Sequence, residues 1–236
     1  MFLPSNFWSN LPQVELQKDD THVWYISLQA STHDLSYFSQ LLNEEEKKRA
    51  AKFHFEKHRI HFTVARAVMR ILLGKYLNKE AREVQFYYQE RGKPYVQELI
   101  HFNISHSGDR ALFAVNKNYE LGVDIEFMRD NVSCEQIATR YFSQTEIIEL
   151  AKTTNKKLAF FRGWSRKEAY IKAIGDGLTM PLASFYVPLM ATENLSIHHN
   201  DPRTWGLWNL EVGENYTGAI VVQTLNTNIR KYTYDG

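Results

Sequence analysis

Asp124 and Glu126 stand two residues apart in LGVDIE (121–126), a run that reads as a β-strand. Side chains alternate along a strand, so the two carboxylates project from one face while Val123 and Ile125 project from the other. Side-by-side carboxylates repel unless positive charge lies between them. A hard divalent cation such as Mg²⁺ takes oxygen ligands of this kind and keeps room for water and a phosphate. The spacing fits equally well a strand edge whose carboxylates face water.

WSRKEAYIKAIGDGL (164–178) supplies the second constellation. On a helix, Trp164, Glu168 and Lys172 fall at i, i+4 and i+8 and share a face. Such a Glu–Lys pair is ordinarily a surface contact worth ~0.3–0.5 kcal/mol. Here Ala169, Ile171, Ala173 and Ile174 flank it, which sets it at the boundary of a core. There Glu168 could add a third carboxylate to a cation and Lys172 could meet a phosphate.

HFNISHSGD (101–109) puts Ser105, His106 and Ser107 at a strand end, where hydroxyls, an imidazole and turn amides can converge on an anion. A plain hairpin end has the same composition. Neighbours on a strand point to opposite faces, which argues against a Ser–His nucleophile pair. Arg59, Phe62, Arg66 and Arg70 form a helical row that is either a solvated face or a fork for phosphate. Arg91-Gly92-Lys93-Pro94 reads as a turn with a cation at its tip, or as an ordinary loop. The pairs His198-His199 and Asp19-Asp20 sit in polar loop contexts and receive no role.

The elements that must hold these residues come in a doubled order. Residues 23–30 read as a strand, and Asn43 with Glu46 forms a capping box that opens a short charged helix. A long helix follows over about 56–77, with Ile60, Val64, Ala67, Val68, Ile71 and Leu72 on one stripe of a 3.6 period. Strand-like runs come next at 83–89, 101–106 and 110–116, with Ser107-Gly108-Asp109 turning between the last two. After residue 120 the order restarts: a strand at 121–126, a capping box at Ser143 and Glu146, a long helix over 156–174 stopped at Gly175, then strand-like runs at 184–188, 205–212 and 217–224. The expectation is an α+β fold of two similar halves, 1–120 and 121–236, related by a pseudo-twofold. Each half packs a long helix on a small, largely antiparallel sheet, with the active site in the cleft between them.

Composition narrows the function classes. The chain of 236 residues is 44% hydrophobic and 23% charged, as expected of a globular protein with ample core. Its net charge of +1 offers no global basic field for nucleic acid or an anionic membrane. The single cysteine, Cys134, forms no internal disulfide or Cys-based zinc site and reads as a buried apolar thiol. No apolar run approaches the ~20 residues of a membrane span. The N-terminal MFLPSNFWSNLPQVELQ lacks a basic n-region and is broken by two prolines, unlike a signal peptide. Both features point to the cytoplasm, where the N-x-[ST] matches at Asn103, Asn131, Asn194 and Asn215 carry no meaning.

GKP (92–94), FNISHSG (102–108), GVDIE (122–126), FSQTE (142–146) and WSRKEAYIKAIGDGL (164–178) occur in an order and at spacings that resemble the 4′-phosphopantetheinyl transferases of the large, Sfp-like type. The resemblance runs over roughly residues 40–188. It implies transfer of the phosphopantetheine arm of coenzyme A to a serine of an apo acyl or peptidyl carrier protein, with release of 3′,5′-ADP. It implies that Asp124, Glu126 and Glu168 hold Mg²⁺ against the pyrophosphate and that Lys172 contacts the phosphates. It implies that Ser105 and His106 meet the phosphate end of the nucleotide, His106 near the 3′-phosphate, and that Lys93 contacts coenzyme A beside the adenine. Arg49 aligns with a family lysine near the 3′-phosphate, while Arg59 is the stronger candidate for that contact by its position ahead of Phe62 and Arg66.

On that reading a serine hydroxyl attacks the β-phosphate, and Mg²⁺ with Lys172 neutralises the charge growing on the leaving oxygen. Either Glu168 or a water on the cation takes the serine proton. Large members of the family resemble two fused copies of a smaller subunit, which implies a monomer. The carrier then docks on the segment after Glu126, where Phe127, Met128, Tyr141 and Phe142 are either its apolar contacts or core, core being favoured for Tyr141 and Phe142. Two rivals use the same residues otherwise: a metal-dependent phosphohydrolase and a non-catalytic coenzyme A binding module. Turnover of coenzyme A with and without apo carrier separates all three.

Overall fold

The computed structural model describes residues 14–175, 177–190, 195–197 and 201–234. His198-His199, Asn194, Asp176 and the first thirteen residues lie outside them. The first half runs β1 (Asp20–Ser27), α1 (Thr32–Leu41), α2 (Glu44–Ala51), α3 (Glu56–Leu77), a small hairpin of β2 (Tyr87–Tyr88) and β3 (Pro94–Tyr95), β4 (His101–Ser107) and β5 (Arg110–Asn116). The second runs β6 (Leu121–Phe127), α4 (Cys134–Tyr141), α5 (Gln144–Lys152), α6 (Lys156–Ile174), two 3₁₀ turns, β7 (Leu195–Ser196), β8 (Gly206–Leu210) and β9 (Tyr216–Val222). A last strand, β10 (Asn228–Tyr234), follows.

Local signals explain the helix starts. Ser31, Asn43 and Ser143 each accept a hydrogen bond from the backbone three residues on, and Asp34, Glu46 and Glu146 reciprocate. Two of these capping glutamates also tie their short helix to the long one behind it. Glu46 binds Arg66 and Arg70, and Glu146 meets Lys167 at 2.8 Å with both side chains fully buried. α6 ends at Gly175, whose φ of 81° is the left-handed conformation a helix C-cap requires.

Two four-stranded sheets result, in the orders β10-β1-β5-β4 and β6-β9-β8-β7, antiparallel except where β10 runs parallel to β1. Strand alternation distributes the core. Trp24, Ile26, Phe113 and Val115 face α3 with Val68, Ile71 and Leu72. Val23, Leu112 and Ala114 face the second sheet and meet Val123, Ile125, Ile220 and Val222. Ala219 and Val221 turn the other way, toward α6. The order of layers is therefore helix, sheet, sheet, helix, and the expected α+β architecture of two similar halves is what the chain adopts.

Several runs depart from the sequence reading. Of the strand expected at 83–89, only Tyr87–Tyr88 is extended into a ladder, because the buried Arg70 takes the carbonyls of Ala81 and Val84. The run at 184–188 is a connection, not a strand. Its backbone is satisfied by side chains: Val187 N–H donates to Glu146, Leu189 N–H to Glu149, and Lys167 donates to the carbonyls of Leu182 and Phe185. Helices α1 and α4 were not foreseen. Nor was β10, which carries the end of the chain back across residue 120 into the first sheet, pinned by Arg230 on the buried Asp20 at 2.5 Å. No helix among the described residues is long and apolar enough to cross a membrane.

Candidate active site

β4 and β6 are the facing edges of the two sheets, and side chains join them. Asn103, Ser105 and Ser107 alternate along β4 and therefore share one side of it. Asn103 Oδ1 accepts from Val123 N–H at 3.0 Å, Ser105 Oγ donates to Asp124 Oδ1 at 2.8 Å, and Ser107 Oγ donates to Glu126 Oε2 at 3.0 Å. Ser107 also accepts from Phe127 N–H at 3.0 Å. This polar seam aligns β6 without a backbone ladder and fixes where its two carboxylates stand.

Gly122 brings the other wall close. A β-carbon there would fall on the backbone of α6 at Ala169 and Ala173, so only glycine lets β6 lie this near the helix. The consequence is contact across the sequence: Lys172 Nζ donates to Asp124 Oδ1 at 2.6 Å and to Ser105 Oγ at 2.8 Å. Asp124 is buried, and its second oxygen, Oδ2, has no hydrogen-bond partner among the described residues.

The electrostatics of the group are those of carboxylates short of positive charge. Burial raises the pKa of Asp124 in spite of Lys172. Burial and then the charge of Asp124 push Glu126 up to about 7, with Glu168 adding to the rise. Burial and Asp124 likewise raise Glu168, whose carboxylate is given no hydrogen bond among the described residues. As these side chains stand, no group of three metal ligands is drawn together among the described residues. The donors nevertheless fit a hard cation: all are carboxylate oxygens, one is orphaned in a buried position, and all three are pushed toward protonation, chiefly by burial.

His106 is exposed on the far side of Ser105, and its pKa is lowered by desolvation and then by Lys172. His61 lies near it on α3, its own pKa lowered by burial and by the charges of Lys57, His106 and His58. The sequence reading missed His58 and His61. Their signal was a helix N-terminus rich in His and Lys, on the face of α3 opposite the arginine row.

The two first-half arginines lie away from the carboxylate cluster. Arg59 donates to Glu56 at 3.2 Å and lines a groove with Leu35, Ser39 and Lys47, on the side of α3 facing α1 and α2. Arg49 is exposed, its guanidinium 5.5 Å from the ring centre of Phe62. Neither makes a contact with Asp124 or Lys172. Arg66 and Arg70 form no phosphate fork, because Glu46 holds both. Trp164 packs edge-on against Tyr141 at 5.7 Å, seating α4, and takes no part in the cluster.

Lys93 is placed inside rather than at a tip. Its ammonium donates to Glu120 Oε2 at 2.9 Å, Ala173 O at 3.1 Å and Leu121 O at 3.3 Å. Those three bonds exhaust the donors of an ammonium group. Lys167 and Arg166, in the same motif as Glu168, are structural. Lys167 is the partner of Glu146, and Arg166 donates to Asn209 Oδ1 at 2.7 Å and to the carbonyl of Met190 at 3.1 Å.

Comparison with known proteins agrees with this geometry. The family model of the 4′-phosphopantetheinyl transferase superfamily matches residues 120–221, and that of the 4′-phosphopantetheinyl transferase N-terminal domain matches residues 27–118. The chain is 34% identical over 218 residues to the 4′-phosphopantetheinyl transferase HetI of Nostoc sp., covering 89% of this chain and 91% of that protein. It is 32% identical over 181 residues to the 4′-phosphopantetheinyl transferase Sfp of Bacillus subtilis, covering 75% and 80%. To the enzyme gsp of Aneurinibacillus migulanus it is 31% identical over 186 residues, covering 78% and 77%. The doubled fold, the three carboxylates with Lys172 and these matches lead to one conclusion: the chain belongs to the 4′-phosphopantetheinyl transferase superfamily and is a transferase of the Sfp-like type.

Proposed function

We propose that the protein transfers the 4′-phosphopantetheine group of coenzyme A to a serine of an apo carrier protein in a Mg²⁺-dependent reaction, releasing 3′,5′-ADP. The observation that carries this reading is the pairing of Lys172 with Asp124 beside an orphaned carboxylate oxygen, with Glu126 and Glu168 both raised toward protonation by burial and then by the charge of Asp124. Asp124, Glu126 and Glu168 would hold the cation, which when bound supplies positive charge to the pyrophosphate. Lys172, already in the cluster, presents its ammonium to the oxygen that takes up negative charge as the β-phosphorus–oxygen bond breaks. Glu168, whose carboxylate makes no hydrogen bond among the described residues, takes the proton of the attacking serine on the oxygen it does not give to the cation. Ser105 holds Asp124 and Lys172 in register, and His106, with His61 nearby, faces the 3′-phosphate.

The same reading has the protein acting as a cytoplasmic monomer, with the site in the cleft between residues 1–120 and 121–236. The test is direct. Purified protein is incubated with coenzyme A and an apo acyl or peptidyl carrier, with Mg²⁺ or with a chelator, and the carrier is weighed by mass spectrometry. Gain of one phosphopantetheine with Mg²⁺ alone supports the proposal. Release of 3′,5′-ADP without any carrier, or binding without turnover, overturns it.

A further inference from the structure

The RGKP hairpin docks on the end of the helix that carries Lys172. Gln89 N–H donates to Lys93 O at 2.9 Å and Gly92 N–H to Gln89 O at 2.8 Å, closing the turn between β2 and β3. From that turn Lys93 reaches the carbonyl of Ala173 in the last turn of α6. Arg91 at the tip donates to Thr179, beyond the helix. Gly175, the left-handed C-cap, lies against the same hairpin, since a β-carbon there would come 2.9 Å from Gln89 Oε1. The last carbonyls of a helix lack intrahelical partners and carry the negative end of its dipole. A cation donated from another element is therefore the natural cap. Lys93 also grips Glu120 and Leu121, where β6 begins, so one ammonium ties the end of the Lys172 helix to the start of the Asp124 strand.

We propose that Lys93, with Arg91 as an outer rung, is a positioning residue whose ammonium clamps the end of α6 so that Lys172 stays on Asp124, rather than contacting coenzyme A. The inference rests on the transferase reading above. It departs from an ammonium contact with coenzyme A, because all three donors of the Lys93 ammonium are spent inside the protein. Its side chain is only 11% exposed, which leaves the ammonium little access to a nucleotide.

The test is a double-mutant cycle between Lys93→Met, which keeps the buried stem, and Lys172→Ala. Turnover with saturating carrier and the affinity for 3′,5′-ADP are measured for each variant. Lys93→Met is expected to lower kcat by about tenfold to a hundredfold, the cost of a misplaced group, with 3′,5′-ADP affinity within about twofold. In the Lys172→Ala background the same change should have no further effect on kcat, since it acts through the missing ammonium. Weaker 3′,5′-ADP binding with kcat unchanged would overturn the proposal and restore a direct contact. So would losses in kcat that simply multiply. If Lys93→Met does not fold, the exposed Arg91→Ala carries the same cycle: a kcat loss absent in the Lys172→Ala background supports the clamp, and no loss or a multiplying one overturns it. A wild-type protein without transfer activity would instead refute the transferase reading.

Discussion

Lys172 Nζ donates to Asp124 Oδ1 at 2.6 Å, joining α6 to the edge strand β6 across 48 residues of sequence. Ser105, from the other half of the chain, bonds to both, so the three side chains close a triangle at the seam of the two sheets. The residues 100 positions before Asp124, Glu168 and Lys172 are Trp24, Val68 and Leu72, and all three lie in the apolar core against α3. The first half therefore carries apolar core side chains at those positions, where the second half carries the acidic cluster and its lysine.

Lys172→Ala should lower kcat by about a hundredfold or more while changing the dissociation constant for coenzyme A only several-fold, because its ammonium acts on charge that develops during transfer. Steady-state kinetics beside a calorimetric titration check this. An equal loss in both would assign the lysine to ground-state phosphate binding.

Glu126 makes stability depend on pH and on the cation. Its folded pKa of about 7 lies above the ordinary value of 4.5, so the folded state holds more protons than the unfolded state between them. Stability without metal should therefore fall as pH rises from 4.5 to 7, by at most ~3 kcal/mol from this group. A divalent cation should restore it most strongly above pH 7, where Glu126 is ionised. Tm measured against pH with and without Mg²⁺ reads this out, and a Mg²⁺ effect independent of pH would contradict it.

Dephospho-coenzyme A should bind more weakly than coenzyme A, and His106→Ala should narrow the difference. On the proposed function His106, with His61 near it, meets the 3′-phosphate, and their lowered pKa values leave room for a bound dianion to draw protons onto them. The preference for coenzyme A should therefore weaken as pH rises. Equal affinities in the wild type would remove the assignment.

Specific activity should hold on dilution, since Ser105 and Asp124 belong to one chain. Sedimentation beside activity assays at decreasing concentration tests this. Activity lost in step with a dissociating dimer would mean the site is shared between chains.

Much of this was legible because local chemistry determined it. The capping boxes at Asn43 and Ser143 fixed the helix starts, and the alternation in GVDIE correctly set Asp124 and Glu126 against Val123 and Ile125. What was hidden depended on partners distant in sequence. Lys93 looked like an exposed cation until Glu120 and the end of α6 arrived around it. The arginine row looked like a phosphate fork until Glu46 claimed two of its members. Residues 184–188 alternate like a strand, yet Glu146, Glu149 and Lys167 take the backbone groups a neighbouring strand would have taken.

Asp124→Ala tests the centre of the account. It removes the residue shared by Lys172, Ser105 and the proposed cation, and it relieves the repulsion on Glu126 and Glu168. Carrier modification at saturating Mg²⁺ is measured beside Tm. Turnover should fall by about a hundredfold or more, with Tm within ~4 °C of the wild type. Turnover at the wild-type rate in a folded variant would contradict the assignment of this cluster as the active site.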